Sequence, residues 1–527
     1  MLGQGALLKL LAAFSVATAV SGAAVDVNGA LDVHDVPVDL AKRKSTFKDS
    51  KTLIPDPGIY PGPDGKHTYK KGWPELPKVD GAKIDNETFT VGKEGATITT
   101  YVTENYDPQK IKRAVIQIHG EYRDAWNQFT YASLSAKNAT KFSKEVSLDE
   151  IVVAAPMFFS IEDIGAYPVD SNNISNTKTL VWDRNGWGDT DDAYYPVFDA
   201  KGNLANPKYT PVSQTTSKGS SKSSKSKSKS KSKSKSSKSS SSGSNSKRNV
   251  IGVSNKQAQE KGPHLASLDA LDAYVNFFTD KNRFPNMKTV VIAGFSMGGQ
   301  TVNRYVTFRP DNEQDGMVNF WISSPASFLY LNDSRPAPSS NCSDFNKYKY
   351  GLDGVMPGYV NRTAKSNTPE AIRNRYLSRK VYYFVGTEDT NTGDPSCSAK
   401  TQGENHIDRM DNWVNKVMPY MPNNPTPGKV PNTIGYGQID GVPHLASAVI
   451  LSSAGMQTLF LDDYNGRNTT VSGAPSVIKD GGDIGRNPVI EPDADVPKSM
   501  GSAAGLYTPG FALISGVALL VAAGNLW

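Results

Sequence analysis

Ser296 stands in Gly294-Phe295-Ser296-Met297-Gly298, a G-x-S-x-G pattern between the apolar run KTVVIAGF and the amphipathic stretch MGGQTVNRYVTF. A strand that turns sharply into a helix lifts such a serine hydroxyl clear of the backbone, and the flanking glycines let the turn close. Without that context the string is weak; a glycine-rich turn with an incidental serine is the plain alternative. A serine nucleophile needs a base, and the base needs a carboxylate to orient it. Only His406 and His444 follow Ser296 in the chain. His444 lies in IDGVPHLASAV, after the last apolar run, where a loop base belongs. His406 lies in GENHIDRMDNWV, whose spacing reads as a helix with His406 on its surface. Asp389, at the end of VYYFVGTEDT, is the expected orienting acid, with Glu388 and Asp394 as alternates. The N–H of Met297 and one from Glu121 or Tyr122, in IQIHGEYRDAW, would receive a developing oxyanion. His119 reads as support for that turn. This is the equipment for attack on an acyl carbonyl, and it asks for no cofactor.

To position these groups the chain must deliver several strand ends to one edge. ATITTYV (96–102) alternates like a half-buried strand. RAVIQIHG (113–120), DEIVVAAPMF (149–158), KTVVIAGFS (288–296), GMVNFWISSP (316–325), RKVYYFVGTED (379–389) and PNTIGYGQIDG (431–441) are apolar runs of strand length. Helical spacing over 264–280, 369–377, 405–416 and 446–461 separates them. Apolar strands alternating with helices predict an α/β fold, a mostly parallel central sheet covered on both faces, with chemistry at the strands' C-terminal ends. Residues 97–464 form the expected domain. Residues 24–96 read as an extended lead-in, with a strand near 89–91, and 465–510 as a flexible stalk. The regions 182–195 and 326–375 read as lid or cap insertions.

The ends and the charge pattern speak to location. Lys9 precedes an apolar run (10–20) and small residues at 21–23, the layout of a signal peptide over 1–23. An apolar tail at 511–527, after small residues at 501–505 and with no basic residue behind it, predicts a GPI-attachment signal or membrane anchor. Secretion to the cell surface follows as the expectation. Seven sequons, at Asn86, Asn138, Asn173, Asn332, Asn341, Asn361 and Asn468, are candidate glycosylation sites. Cys342 and Cys397, the only cysteines, are expected to pair, and no metal site is expected. A Lys/Ser-rich insertion (214–249) holds eleven basic residues and no acid between Lys218 and Arg248; removing those eleven from the formal +6 leaves the rest at −5. With no apolar face the insertion is expected to be disordered. It lacks interleaved aromatics, which argues against nucleic acid as a partner. An anionic cell-wall polymer suits it better.

Together, HG at 119–120, GFSMGG at 294–299, GTED at 386–389 and VPHLAS at 442–447 resemble the α/β-hydrolase superfamily over about residues 97 to 462. More narrowly, IHGEYRDAWNQF, VWDRNGW, GFSMGGQTVNRYV and the cysteine ending GTEDTNTGDPSC look like a group of secreted fungal α/β-hydrolases. The resemblance implies serine-dependent hydrolysis and fungal secretion, and names no substrate. The expectation is a serine hydrolase of carboxylic esters, small or polymeric. A lipase or peptidase on the same triad, or a silent hydrolase scaffold used for surface binding, are the alternatives.

Overall fold

A computed structural model describes residues 69–168, 178–195, 264–363, 366–469, 471–472 and 483–487. The signal peptide, the Lys/Ser insertion, the C-terminal tail and Asn173 lie outside the described residues. Nine strands form one sheet: β1 (Ala82–Asp85), β2 (Thr100–Thr103), β3 (Arg113–Ile118), β4 (Ile151–Pro156), β5 (Thr289–Phe295), β6 (Val318–Ser323), β7 (Lys380–Gly386), β8 (Ile434–Ile439) and β9 (Asp483–Asn487). Their order across the sheet is β1-β2-β4-β3-β5-β6-β7-β8-β9. The β1–β2 and β2–β4 pairs are antiparallel; every later neighbour is parallel.

Apolar runs become central strands because both faces are buried, and side chains alternate between them. Ala114, Ile116, Val290, Ile292, Phe320, Ile322, Val381 and Tyr383 enter one core. Val115, Val291, Ala293, Trp321, Tyr382 and Phe384 enter the other. The first core is closed by α2 (Ser267–Thr279) and α3 (Met297–Phe308). The second is closed by α1 (Ala125–Phe142) and α6 (Ala446–Leu451), between which α4 (Pro369–Ser378) and α5 (His406–Asp411) occur in the chain. Ile118 of β3 and Ile322 of β6 both align with Gly294 of β5. That register brings the C-terminal ends of β3, β5 and β6 to one edge. Strand order, the run of parallel pairs and the tight turn after β5 make this an α/β-hydrolase fold.

Some expectations shift. The sheet begins upstream of residue 97: β1 pairs with β2, and Trp73, 1 % exposed, packs edge-on against Trp126 at 5.1 Å. Past 464, Val471 is also buried and the Ser472 N–H donates to Glu145 Oε1 at 2.8 Å. The expected strand near 89–91 is a two-residue ladder with 96–97. The expected helix over 446–461 breaks at Ser452, where extended backbone lets the hydroxyl accept from the Gly455 N–H and start a new helix. Among the described residues no helix is long and apolar enough to cross a membrane.

Candidate active site

Ser296 occupies the turn between β5 and α3 with φ 56° and ψ −119°, backbone that a non-glycine residue rarely adopts. Glycines make the turn possible by close approach. A Cβ on Gly294 would lie 2.3 Å from the Gly298 carbonyl carbon, and one on Gly298 would lie 2.6 Å from the carbonyl oxygens of Ile118 and His119. The Ser296 N–H donates to Ser323 O at 2.9 Å, which ties the elbow to β6.

The hydroxyl of Ser296 lies 3.0 Å from His444 Nε2, and His444 Nδ1 lies 2.9 Å from Asp389 Oδ2. The sequence separations are 148 and 55 residues, so only the sheet's edge brings the three together. The loops carrying Asp389 and His444 are stitched to each other. Thr387 N–H donates to Ile439 O and Glu388 N–H to Val442 O, while Gly441 N–H donates to the Thr387 hydroxyl. Of the alternates, Glu388 is exposed, and Asp394 instead accepts from the Tyr350 hydroxyl at 2.7 Å.

His406 is where the structure departs most from the sequence reading. It is 2 % exposed, not a surface position, and its Nδ1 stands 3.2 Å from Asp389 Oδ1. Helix α5 starts with Asn405 as its N-cap, whose side chain accepts from the Asp408 N–H, and this start turns His406 inward. Asp389, His406 and His444 thus offer three donor atoms within 4.8 Å of one another, a set whose residue types also suit a metal. Both nitrogens of His444 are already committed, to Asp389 and to Ser296, so an ion there would displace that chain of contacts.

The turn after β3 faces the elbow: a Cβ on Gly120 would lie 3.5 Å from Ser296 Cβ. His119 braces it as expected. The Phe158 N–H donates to His119 Nε2 at 3.0 Å, which leaves Nδ1–H to donate to Gly120 O at 2.9 Å. Burial pushes the His119 pKa down to about 3, so it stays neutral. The Tyr122 carbonyl accepts from Trp73 Nε1 at 2.8 Å, and Arg123 forms a buried two-point pair with Asp163. As the first residue of α3, Met297 has no intrahelical acceptor for its N–H. Trp73, Arg123 and Asp163 were not singled out in the sequence; the bonding of Trp73 reaches 90 residues along the chain, beyond any local signal.

The expected lid segment is packed down. Trp187, fully buried, sits 4.5 Å edge-on to His119 and 5.5 Å over Phe158. Asn185 Nδ2 reaches Glu121 Oε1 at 3.4 Å, and Arg304 binds the Gly188 carbonyl. In the expected cap, Phe328, Leu329 and Tyr330 are buried, and Gln402 bonds both polar groups of the Phe328 backbone. A cavity of about 400 Å³ beside Phe89 and Asp272 shares no lining residue with the Ser296 site. Cys342 and Cys397 are joined as a disulfide, three residues past Asp394. Among the sequons, Asn341, Asn361 and Asn468 are exposed, Asn86 and Asn332 half-buried, and Asn138 is buried on α1.

No protein-family model matches the chain, and no curated protein matches it in sequence. Solved structures with similar backbones include LpqC, a poly(3-hydroxybutyrate) depolymerase from Bordetella parapertussis, at 14 % identity and TM-score 0.37, over 70 % of this chain and 86 % of that one. Poly(aspartic acid) hydrolase-1 from Sphingomonas sp. KT-1 matches at 14 % identity and TM-score 0.37, over 72 % and 96 %. The siderophore hydrolase EstA from Aspergillus nidulans matches at 10 % identity and TM-score 0.29, over 70 % and 90 %. Likeness at this level leaves the fold to rest on strand order and says nothing of substrate.

Proposed function

We propose that this chain is a serine hydrolase of carboxylic esters, with Ser296 as nucleophile, His444 as base and Asp389 as its orienting acid. The observation that supports it is the unbroken run of contacts from Ser296 Oγ through His444 to Asp389, at 3.0 and 2.9 Å. In this reading Ser296 Oγ attacks the acyl carbon as its proton passes to His444 Nε2. The N–H of Met297, with that of Glu121 or Tyr122, receives the oxyanion. His444 then returns the proton to the departing alcohol, leaving an acyl group on Ser296. Water, deprotonated by His444, hydrolyses that ester and restores the serine. The chain is further proposed to act at the cell surface, on the strength of its signal-like N-terminus and apolar C-terminal tail.

Labelling with a fluorophosphonate probe tests the reading. The secreted wild type should react and Ser296→Ala should not. Absence of labelling in a folded wild type would count against hydrolysis and favour a surface-binding role for the scaffold. Turnover of p-nitrophenyl esters of increasing acyl length then sorts esterase from lipase, and a blank there with positive labelling points to a peptidase.

A further inference from the structure

Asp389 carries two imidazoles, and the triad uses one. His444 Nδ1 takes Oδ2 at 2.9 Å; His406 Nδ1 approaches Oδ1 at 3.2 Å, in contact but off the line of a good hydrogen bond. The two rings stack at 4.2 Å with 28° between their planes. Among the described residues neither nitrogen of His406 has another hydrogen-bond partner, although the residue is 2 % exposed. A polar ring buried without a good hydrogen bond costs stability, so its place beside Asp389 calls for a reason.

The surroundings hold His406 against the acid. Its own N–H donates to Asn391 O, and the Ile407 N–H donates to Asp389 O, so the first turn of α5 is clipped to the acid's loop. Gly393, at φ +57°, lies against the far side of the ring; a Cβ there would meet His406 Nε2 at 2.6 Å. Arg409, one turn further along, binds the carbonyls of Ala326, Thr392, Asp394 and Gly403 and fixes the loop around the ring.

We infer that His406 is a positioning residue: it holds the second oxygen of Asp389 and the face of the His444 ring, so that the carboxylate cannot rotate away from His444. The inference rests on the serine-hydrolase reading above for its kinetic consequences, but not for its geometric ones. A carboxylate held at one oxygen can swing about its last side-chain bond; held at both it cannot. The charged and titratable groups facing it are Asp389 on the acid loop, His444 on the last loop and Arg409 on its own helix. Burial first, then the neighbouring His444, lower its pKa from the ordinary imidazole value, while Asp389 acts to raise it.

His406→Phe keeps the ring and removes the donor; His406→Asn keeps a donor where Nδ1 stands. In the phenylalanine variant kcat for a p-nitrophenyl ester should fall by roughly 10- to 100-fold with KM little changed, the scale of a misplaced catalytic group. The acid limb of its kcat/KM profile should move to higher pH, since His444 then has the whole carboxylate charge. The asparagine variant should recover most of the rate and the wild-type limb. Equal impairment of both variants, or an unmoved limb, would reduce His406 to packing and overturn the inference. A crystal structure of His406→Phe gives a readout independent of turnover: the Asp389 carboxylate should be rotated, and an unrotated one also overturns the inference. If the wild type itself fails to label with fluorophosphonate, the triad reading is what fails, and that structure still decides the role of His406. Should the phenylalanine variant not fold, the asparagine variant's limb and structure carry the test, with wild-type values for both expected.

Discussion

Burial by itself would raise the pKa of the Asp389 carboxyl, but the electrostatic influence of His444 and then of His406, each set against one of its oxygens, outweighs burial and holds the group well below the usual carboxylate range. In the proposed reaction an ionised Asp389 orients His444 and balances the imidazolium formed during attack, without taking the proton itself. Asp389→Asn should therefore lower kcat by on the order of 10³- to 10⁴-fold, through the wrong imidazole tautomer. Glu388→Gln, one residue away and exposed, should stay within about twofold, the scale of a surface change. Steady-state rates on one activated ester check both, and equal losses would dislodge Asp389 from its role. Sequence made this pair hard to part, since both follow the same apolar run; the turn past β7, in which the Asp389 N–H donates to Gly386 O, leaves Asp389 buried and Glu388 exposed. His406 was misread because a helical period says which residues share a face but not where the helix starts. The N-cap at Asn405 sets the phase of α5, and with it the inward turn of His406.

Elements, more than residues, decide whether the triad closes. The His444 loop crosses the end of β7 so tightly that a Cβ on Gly386 would sit 1.9 Å from Val442 O. Gly386→Ala must push the loop outward, breaking the Glu388–Val442 bond that sets its height. A displacement near 1 Å at His444 is expected to cost about 100-fold in kcat. Esterase assays with circular dichroism separate this from unfolding, and an alanine variant with unchanged kcat would show that the crossing is not tight. The disulfide acts on the neighbouring loop: Cys342–Cys397 closes 55 residues and joins the expected cap to the chain just past the acid. Chain entropy gives such a crosslink about 4 kcal/mol at most. Cys342→Ser with Cys397→Ser should lower the urea midpoint accordingly, and a midpoint that stays put would refute it. The central strands were legible because burial on both faces writes itself as unbroken apolar runs. Strand β1 was not, because at an antiparallel edge AKID is half exposed and set among prolines and glycines.

Over the whole molecule, buried titratable groups of opposite kinds set the response to pH. His119 and His406 are ordinary imidazoles in the unfolded chain but buried bases in the folded one, both shifted down by burial first. Below about pH 6.5 the unfolded chain gains protons that the folded chain refuses, so each costs stability as pH falls, at up to roughly 1.4 kcal/mol per unit. For His119 this continues to about pH 3. Asp191 and Asp272 work the other way. Burial, with Asp189 and Asp192 beside the first, pushes Asp191 up to about 7; burial pushes Asp272 up to about 6 despite its bonds to Tyr305 and Tyr359. Between those values and the unfolded carboxylate range the folded chain holds protons that the unfolded chain has released. Each therefore adds stability as pH falls from neutral, with the same limiting slope. Contributions of opposite sign offset one another in part in the wild-type curve. Single substitutions should uncover the hidden slopes. Relative to wild type, Asp191→Asn should lose about 1.4 kcal/mol per unit as pH drops from 7 toward 4, and His119→Gln should gain about as much from 6.5 downward. Urea unfolding at pH 7, 6 and 5 measures both, and variant curves parallel to wild type would show that these groups titrate alike in the folded and unfolded chain.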